Sequence, residues 1–514
     1  MKIKTIFFVL FSYAFSQANP IGIATAGSHK LRMKGQINIF HNPATLGYYV
    51  TQSKRNKPNK KALKKSKELA EESALVPSAL SVAEIEKNQK DTDTDSLVRK
   101  DPNSENLVGN NLDSLSTKTS GVVLPKDSLL SPSASSKSNF SLSLFSIAFR
   151  FGSGSVTPDW INNQLFGGKD LRNNQERKNF IKGISNNIAI QFPVYLSLPL
   201  LNFSYGSNAF SLGQVVSHTS INIPSKLAQV PFVGLEKGAE LNISSLEIEH
   251  ITYLPISFSK GITIKPGIIP FGQKSYVGLR SSLLIGISEV HTGNIKGKVQ
   301  GTETNALIDA DIDIGVSLPV QLGDSFPKGS FPVGVGFDLG ILTEIDEKLI
   351  VGASIDNLFA TFNWNNATVY KATITGELTP EEIADSDSLS NLLEQSEIKE
   401  RSSYKTSLPT SINFSGIYKA EKRVILDANI HIDFSRSYWA SSTPLFSLGS
   451  EFYPETKTPF YLSFSFGGEN NFIWGTGTSL KIGSVIFDIS GGQLGGLFNN
   501  ATGMQFGFGL RLQK

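Results

Sequence analysis

Six histidines and one run of aspartates are the side chains best suited to chemistry in this 514-residue chain. In 424–435, Asp427, Asn429, His431 and Asp433 recur at every second position, with Leu426, Ala428, Ile430 and Ile432 between them. A histidine flanked on one strand face by an amide and a carboxylate could form a base with its orienting partner. In 308–318, Asp309, Asp311 and Asp313 alternate with Ile308, Ala310, Ile312 and Ile314. Carboxylates at that spacing could ligate calcium, but the glycine turn and closing glutamate of a calcium loop are missing. His29, His41, His218, His250 and His291 are scattered, and no zinc-protease, phosphate-loop or nucleophile-elbow motif accompanies them. Both constellations also have a plainer reading, as the polar face of an alternating strand. The expectation is therefore no catalytic residue, no metal and no cofactor, in a protein that is not an enzyme.

The elements that position these residues are strands. From Phe140 to the end, alternating segments follow one another, among them 245–257, 274–290, 306–318, 331–342, 347–363, 408–419, 423–435, 458–467 and 502–513. The last is the most telling. Met504, Phe506, Phe508, Leu510 and Leu512 occupy one face, and Gln505, Gly507, Gly509, Arg511 and Gln513 the other. Runs of about ten residues, apolar on one face, suit a membrane-crossing strand, which needs ~9–11 residues. The fold expected is all-β, an antiparallel transmembrane barrel of about 14 strands over 139–514, with a few short helices in its loops. In that reading Phe506 faces lipid and Gln505 the lumen, so Phe506→Arg impairs membrane assembly while Gln505→Arg is tolerated. Asp309, Asp311, Asp313, Asp427, Asn429, His431 and Asp433 become lumen-facing polar residues. Helical interruptions are expected at 156–184, with Thr157 capping and Pro158 in the first turn, and at 378–400, with Thr379 and Glu382 as a capping box.

The start of the chain reads as an export signal. Lys2 and Lys4 precede the apolar "TIFFVLFSYAF" (5–15), and cleavage could follow Ser16 or Ala18, so 1–18 is assigned to the signal peptide. Residues 51–138 have no aromatic residue and no periodicity, and open on "KRNKPNKKALKKSK" (54–67), the composition of a disordered insertion. The net charge of +3 argues against a nucleic-acid partner, and the absence of cysteine removes thiolate chemistry.

Between signal and insertion lies "FHNPATLGYY" (40–49), in which Asn42-Pro43 sets a turn followed by the small, apolar Ala44, Leu46 and Gly47. That segment, ahead of a strand-rich region, resembles the FadL-type long-chain fatty-acid transporter superfamily of outer-membrane barrels, including its PorV-like branch. The resemblance implies that 19–50 forms a hatch inside a fourteen-stranded barrel, with Asn42, Pro43, Ala44, Leu46 and Gly47 at its centre. It implies the bacterial outer membrane as location, with outer-membrane lipid and the barrel-assembly machinery as partners. It also implies passive uptake of a hydrophobic small-molecule ligand. The alternative it leaves open is a non-transporting surface component, a secretion adaptor or cargo anchor that binds secreted or surface proteins. The terminal strand also resembles the assembly signal of bacterial outer-membrane barrels, with one departure: that signal usually ends in an aromatic residue, and this chain ends Leu512-Gln513-Lys514.

Overall fold

Alternation with small residues on one face and bulky ones on the other builds a sheet that curls and closes. The computed structural model describes residues 25, 26, 28, 42–55, 140–154, 156–160, 175, 176, 179, 188–197, 202–227, 229, 237–265, 268–270, 272–302, 305–317, 331–379, 397–435, 438 and 440–513. One compact unit comprises 1–56 and 132–514; the other, 57–131, lies outside the described residues, as does the signal peptide. Most of the polar insertion lies outside them too.

The strands are β1 (Phe140–Gly152), β2 (Ile188–Ser197), β3 (Asn202–Tyr205), β4 (Asn208–Ser211), β5 (Gln214–Ile223), β6 (Glu240–Asn242), β7 (Glu247–Ile264), β8 (Lys274–Gly301), β9 (Ala306–Ser317), β10 (Val333–Glu344), β11 (Leu349–Leu378), β12 (Glu397–Ser407), β13 (Ser411–Glu421), β14 (Val424–Asp433), β15 (Leu445–Phe452), β16 (Phe460–Gly467), β17 (Phe472–Ile482), β18 (Val485–Leu494) and β19 (Gly503–Gln513). Two helices are described, α1 (Ala44–Arg55) and α2 (Pro158–Trp160).

Eighteen of these 19 strands form a closed antiparallel barrel of 14 staves, and the short β6 pairs with the far end of β8. Four staves are made of two strands end to end. β9 and β10 both run against β8 and β11, and β12 and β13 both run against β11. β2 and β3 share β1, and β4 and β5 share β7. β19 pairs with β1 from Ser141↔Gln513 to Gly152↔Gly503, which leaves the terminal strand no free edge. No helix among the described residues is long and apolar enough to cross a membrane.

The two faces separate as alternation requires. Phe506 is 44% exposed on the outside, whereas Gln505 is fully buried inside. Phe149, Phe414, Phe446, Phe464 and Leu283 stand on the outer face, while Ser447, Ser463, Ser465, Asp488 and Arg511 are buried within. An exterior this rich in exposed aromatic rings is stable only against hydrocarbon. Outer rings pair across strands, as Phe149 and Phe506 do at 5.4 Å between centroids.

Connections differ between the two ends. Gly206-Ser207, Lys422-Arg423 and Gly483-Ser484 make tight turns at one end. The turn between β10 and β11 is fixed by Asp346, whose carboxylate accepts the backbone N–H of Leu349 and Lys348, both at 2.7 Å; those bonds hold its pKa below the usual value. At the other end β8, β9 and β11 rise far beyond a bilayer: β8 has 28 residues and β11 has 30. The outward face of this extension (Ile295, Val299, Ala306, Ala310) is covered by Leu227, Leu241, Ile243 and Leu246 from the β5–β7 connection.

Three sequence expectations are corrected. Residues 397–400 lie in β12 rather than in a loop helix, because beyond the membrane a strand faces water on both sides and loses its alternation. β8 and β11 run past the expected ends at 290 and 363, where bulges at Thr292/Asn294 and Trp364/Ala367 interrupt the period-two pattern. α1 continues to Arg55, five residues into the segment assigned to the polar insertion. The cap at Thr157 is present: its Oγ1 accepts the Trp160 N–H at 3.1 Å. Glu382, the second member of the proposed capping box with Thr379, and a second helix around Phe180 lie outside the described residues.

Candidate functional site: a seated hatch beneath an aromatic layer

The Asn-Pro turn opens a helix. Asn42 Oδ1 accepts the Ala44 N–H at 3.0 Å and its carbonyl accepts the Thr45 N–H at 3.1 Å. This caps α1 from a residue whose own side-chain amide then binds the barrel wall. Asn42 Nδ2 donates to the carbonyls of Ile341 (3.2 Å) and Ala353 (3.1 Å), facing residues on β10 and β11. One side chain thus closes the hatch turn and ties it to two staves.

The wall has a shallow seat for this turn. Gly261 pairs with Gly278, and Gly278 with Gly340, giving one lumen-facing row across β7, β8 and β10. A Cβ on Gly261 would stand 2.3 Å from Gly47 N, one on Gly278 2.1 Å from the Pro43 carbonyl carbon, and one on Gly340 2.1 Å from Asn42 Oδ1. Three consecutive glycines across the sheet let the hatch backbone lie flat on the wall. Ala44 and Tyr48 then pack with Tyr276, Leu342, Ile350 and Ile417, and Leu46 with Ala209. The rings of Tyr48 and Tyr276 meet edge-on at 5.6 Å, and the Tyr276 hydroxyl donates to Glu344 at 2.5 Å. Thr25, Ala26 and Ser28 lie against the opposite wall, where Ser465 Oγ donates to the Ala26 carbonyl at 2.6 Å.

Asn42→Leu removes both bonds to the wall and the helix cap. The expected cost is ~1–3 kcal/mol in hatch docking. Amide hydrogen exchange should quicken over 44–49 and stay unchanged in the β16–β19 wall; equal exchange in both proteins would contradict the clamp.

Above the seat the lumen changes character in layers. The first holds the ion pair of Arg280 with Asp338, whose Oδ1 also accepts the Asn357 N–H at 2.7 Å. Asn357 and Phe359 have φ of 59° and 58°, where β11 bulges against β10. The next layer is apolar: Val216, Ile251, Tyr253, Leu284, Phe362, Trp364 and Leu408 form one buried cluster inside the barrel. Gly286 makes room for the Trp364 ring, and Trp364 Nε1 donates to Thr406 at 2.7 Å. The third layer is acidic. Glu289 accepts the hydroxyls of Tyr404 and Tyr438 and pairs with His291 Nδ1 at 2.9 Å. Glu249 accepts the Tyr438 N–H. The β14–β15 connection that carries Tyr438 is thereby drawn down into the barrel. Burial and the adjacent Glu289 push the Tyr438 hydroxyl well above its ordinary pKa, so it stays a donor.

The residues singled out from sequence fall in three places. Asn42, Pro43, Ala44, Leu46 and Gly47 gather at the seat, all buried. Asp427, Asn429, His431 and Asp433 share the inner face of β14, where His431 bridges Asn413 (2.7 Å) and Asp433 (3.0 Å), and Ser415 donates to Asn429 at 2.6 Å. Asp309 and Asp311 stand exposed on the extension beyond the barrel, and Asp313 is half-buried there. Their cross-strand neighbours are Lys298, Lys296 and Lys371, and Thr373 Oγ1 donates to Asp311 at 2.8 Å. Sequence reading passed over Gly261, Gly278 and Gly340, although an isolated glycine inside a strand is itself a sign of close backbone approach.

A closed barrel with an apolar exterior and an N-terminal segment docked in its lumen defines a plugged membrane β-barrel. The chain belongs to the DUF5723 family, a family of unknown function, which matches residues 132–489. No curated protein matches it. Solved structures to which the chain is similar include toluene transporters and a FadL homologue. The toluene transporter TbuX of Ralstonia pickettii shares 11% identity over 73% of this chain and 88% of its own, with a TM-score of 0.38. The Pseudomonas putida toluene transporter TodX shares 11% over 72% and 87%, at 0.35. A Pseudomonas aeruginosa FadL homologue shares 8% over 73% and 89%, at 0.33.

Proposed function

We propose that the protein is an outer-membrane channel for passive uptake of hydrophobic small molecules, without enzymatic activity. The observation that carries this reading is the apolar layer that lies between two polar layers of the lumen. Tyr253, Leu284, Phe362 and Trp364 lie above the docked hatch, between the Arg280–Asp338 pair and the Glu289 cluster. An apolar solute entering from outside would meet this apolar layer before it reached the hatch. The hatch and the polar layers around it would keep water-borne solutes out. Outer-membrane lipid and the assembly machinery are the partners such a barrel needs.

The test is mass spectrometry of small molecules that co-purify with the protein extracted in a membrane-mimetic polymer. Wild type should carry a specific lipid or hydrocarbon that Trp364→Ala and a hatch-deleted chain lose. Identical bulk membrane lipid in all three would reject uptake. It would favour the second reading, a surface adaptor or anchor for secreted proteins, which the long extension of β8, β9 and β11 supports.

A further inference from the structure

The outer wall is not evenly ridged. Where the last strands meet the first, three small side chains adjoin on the lipid-facing register: Thr476 pairs with Gly491, and Thr478 lies one outward position along β17. Their neighbours in the same rows are large. Thr478 stands between Phe460 and Ile489, and Gly491 abuts Phe506. The result is a groove of about 560 Å³ that crosses the seam between β19 and β1, walled by Phe460, Phe506 and Phe508. That volume falls within the ~300–1,000 Å³ of small-molecule sites.

The groove offers no hydrogen bond. Thr476 Oγ1 donates to the Tyr461 carbonyl at 3.0 Å and Thr478 Oγ1 to the Pro459 carbonyl at 2.8 Å, so both hydroxyls are turned back into the wall. The strands beneath are paired on both sides, which uses their backbone groups. A lipid headgroup or a peptide would leave its own polar groups unpaired here, at a cost of several kcal/mol in hydrocarbon. A second copy related by a two-fold axis would set groove against groove and leave the space empty. Empty space forfeits dispersion contact, and a flexible hydrocarbon tail restores it.

We propose that this groove binds one acyl chain of a bilayer lipid and holds it against the seam that closes the barrel. The assignment is independent of what, if anything, passes through the lumen.

The experiment uses full-length protein in nanodiscs that contain a phosphatidylethanolamine with a diazirine in its acyl chain. After photolysis, peptide mapping should find adducts several-fold more often on Phe460, Phe506 and Phe508 than on Phe414 and Leu426, which are equally exposed on the far wall. Gly491→Leu, whose added Cβ meets nothing closer than 3.5 Å, should fill the groove and bring labelling there down to the far-wall level. Even labelling around the wild-type barrel overturns the proposal. So does a wild-type dimer in which the groove is protected from label, since a second copy would then be the occupant. The wild-type comparison stands even if the leucine variant fails to assemble.

Discussion

Gly278→Val will unseat the hatch. The added Cβ would lie 2.1 Å from the Pro43 carbonyl carbon and 2.2 Å from Ala44 N, both of them backbone atoms in the turn that starts α1. A side chain could rotate away, but this backbone is held by Asn42 to β10 and β11 and by Ala44 and Tyr48 to the lumen floor. Overpacking costs about 1–3 kcal/mol where neighbours can adjust; here the hatch must lift off its seat. Once lifted, α1 has only 12 residues and loses the packing that a helix of that length depends on. The barrel itself should remain, because the substitution keeps the β7–β8–β10 ladder intact. Planar-bilayer recordings should show conductance well above wild type, and limited proteolysis should cut within 42–49. Gly416→Ala is the control, since its Cβ meets nothing nearer than 4.0 Å. A variant as electrically tight and protease-resistant as wild type would show that the glycine row is not the seat.

Phe506→Arg will block insertion, while its neighbour accepts a charge. Phe506 faces out beside Phe149 in the middle of the terminal strand's pairing with β1. Arginine there costs ~2–4 kcal/mol near the bilayer midplane, and the lost ring pair adds ~0.5–1.5 kcal/mol. Gln505 is fully buried inside, where its Oε1 accepts Arg150 Nη2 at 3.0 Å and Nε at 3.3 Å. Gln505→Glu therefore supplies a carboxylate to a buried guanidinium and should assemble as well as wild type or better. Gln505→Arg, acceptable on alternation alone, instead sets two like charges together in a buried site and should assemble poorly. The folded fraction of each, read from heat-modifiable migration on gels, separates these cases. Equal yields for Phe506→Arg and Gln505→Glu would refute the assignment of faces.

The contrast at position 505 shows where sequence reading stops. Period-two alternation tells which way Gln505 points, because pleat geometry alone decides it. It does not say that Arg150 waits 355 positions earlier on the adjacent strand. The antiparallel barrel of long alternating strands was legible for the same local reason, and so was the turn at Asn42-Pro43, since a turn is a property of adjacent residues. That Asn42 would cap a helix and bridge two staves was not. Nor were the boundaries of β8, β11 and β12 beyond the membrane, where bulges at Thr292/Asn294 and Trp364/Ala367 break the period-two register. The seat lay hidden because each of its three glycines signals a close approach without saying by what, and only cross-strand register puts them in line.

The bonds from Asn42 span 299 and 311 positions of chain. The hatch is thus made first and placed late: its seat does not exist until β7, β8, β10 and β11 have been synthesised and paired. Such distant contacts are costly in loop entropy and slow to form. During that interval the apolar turn Pro43–Leu46 has nowhere of its own to go. Biogenesis of this barrel therefore carries an ordering problem, in which the N-terminal segment must be kept inside a sheet that is still curling, before β19 reaches β1 and closes the wall.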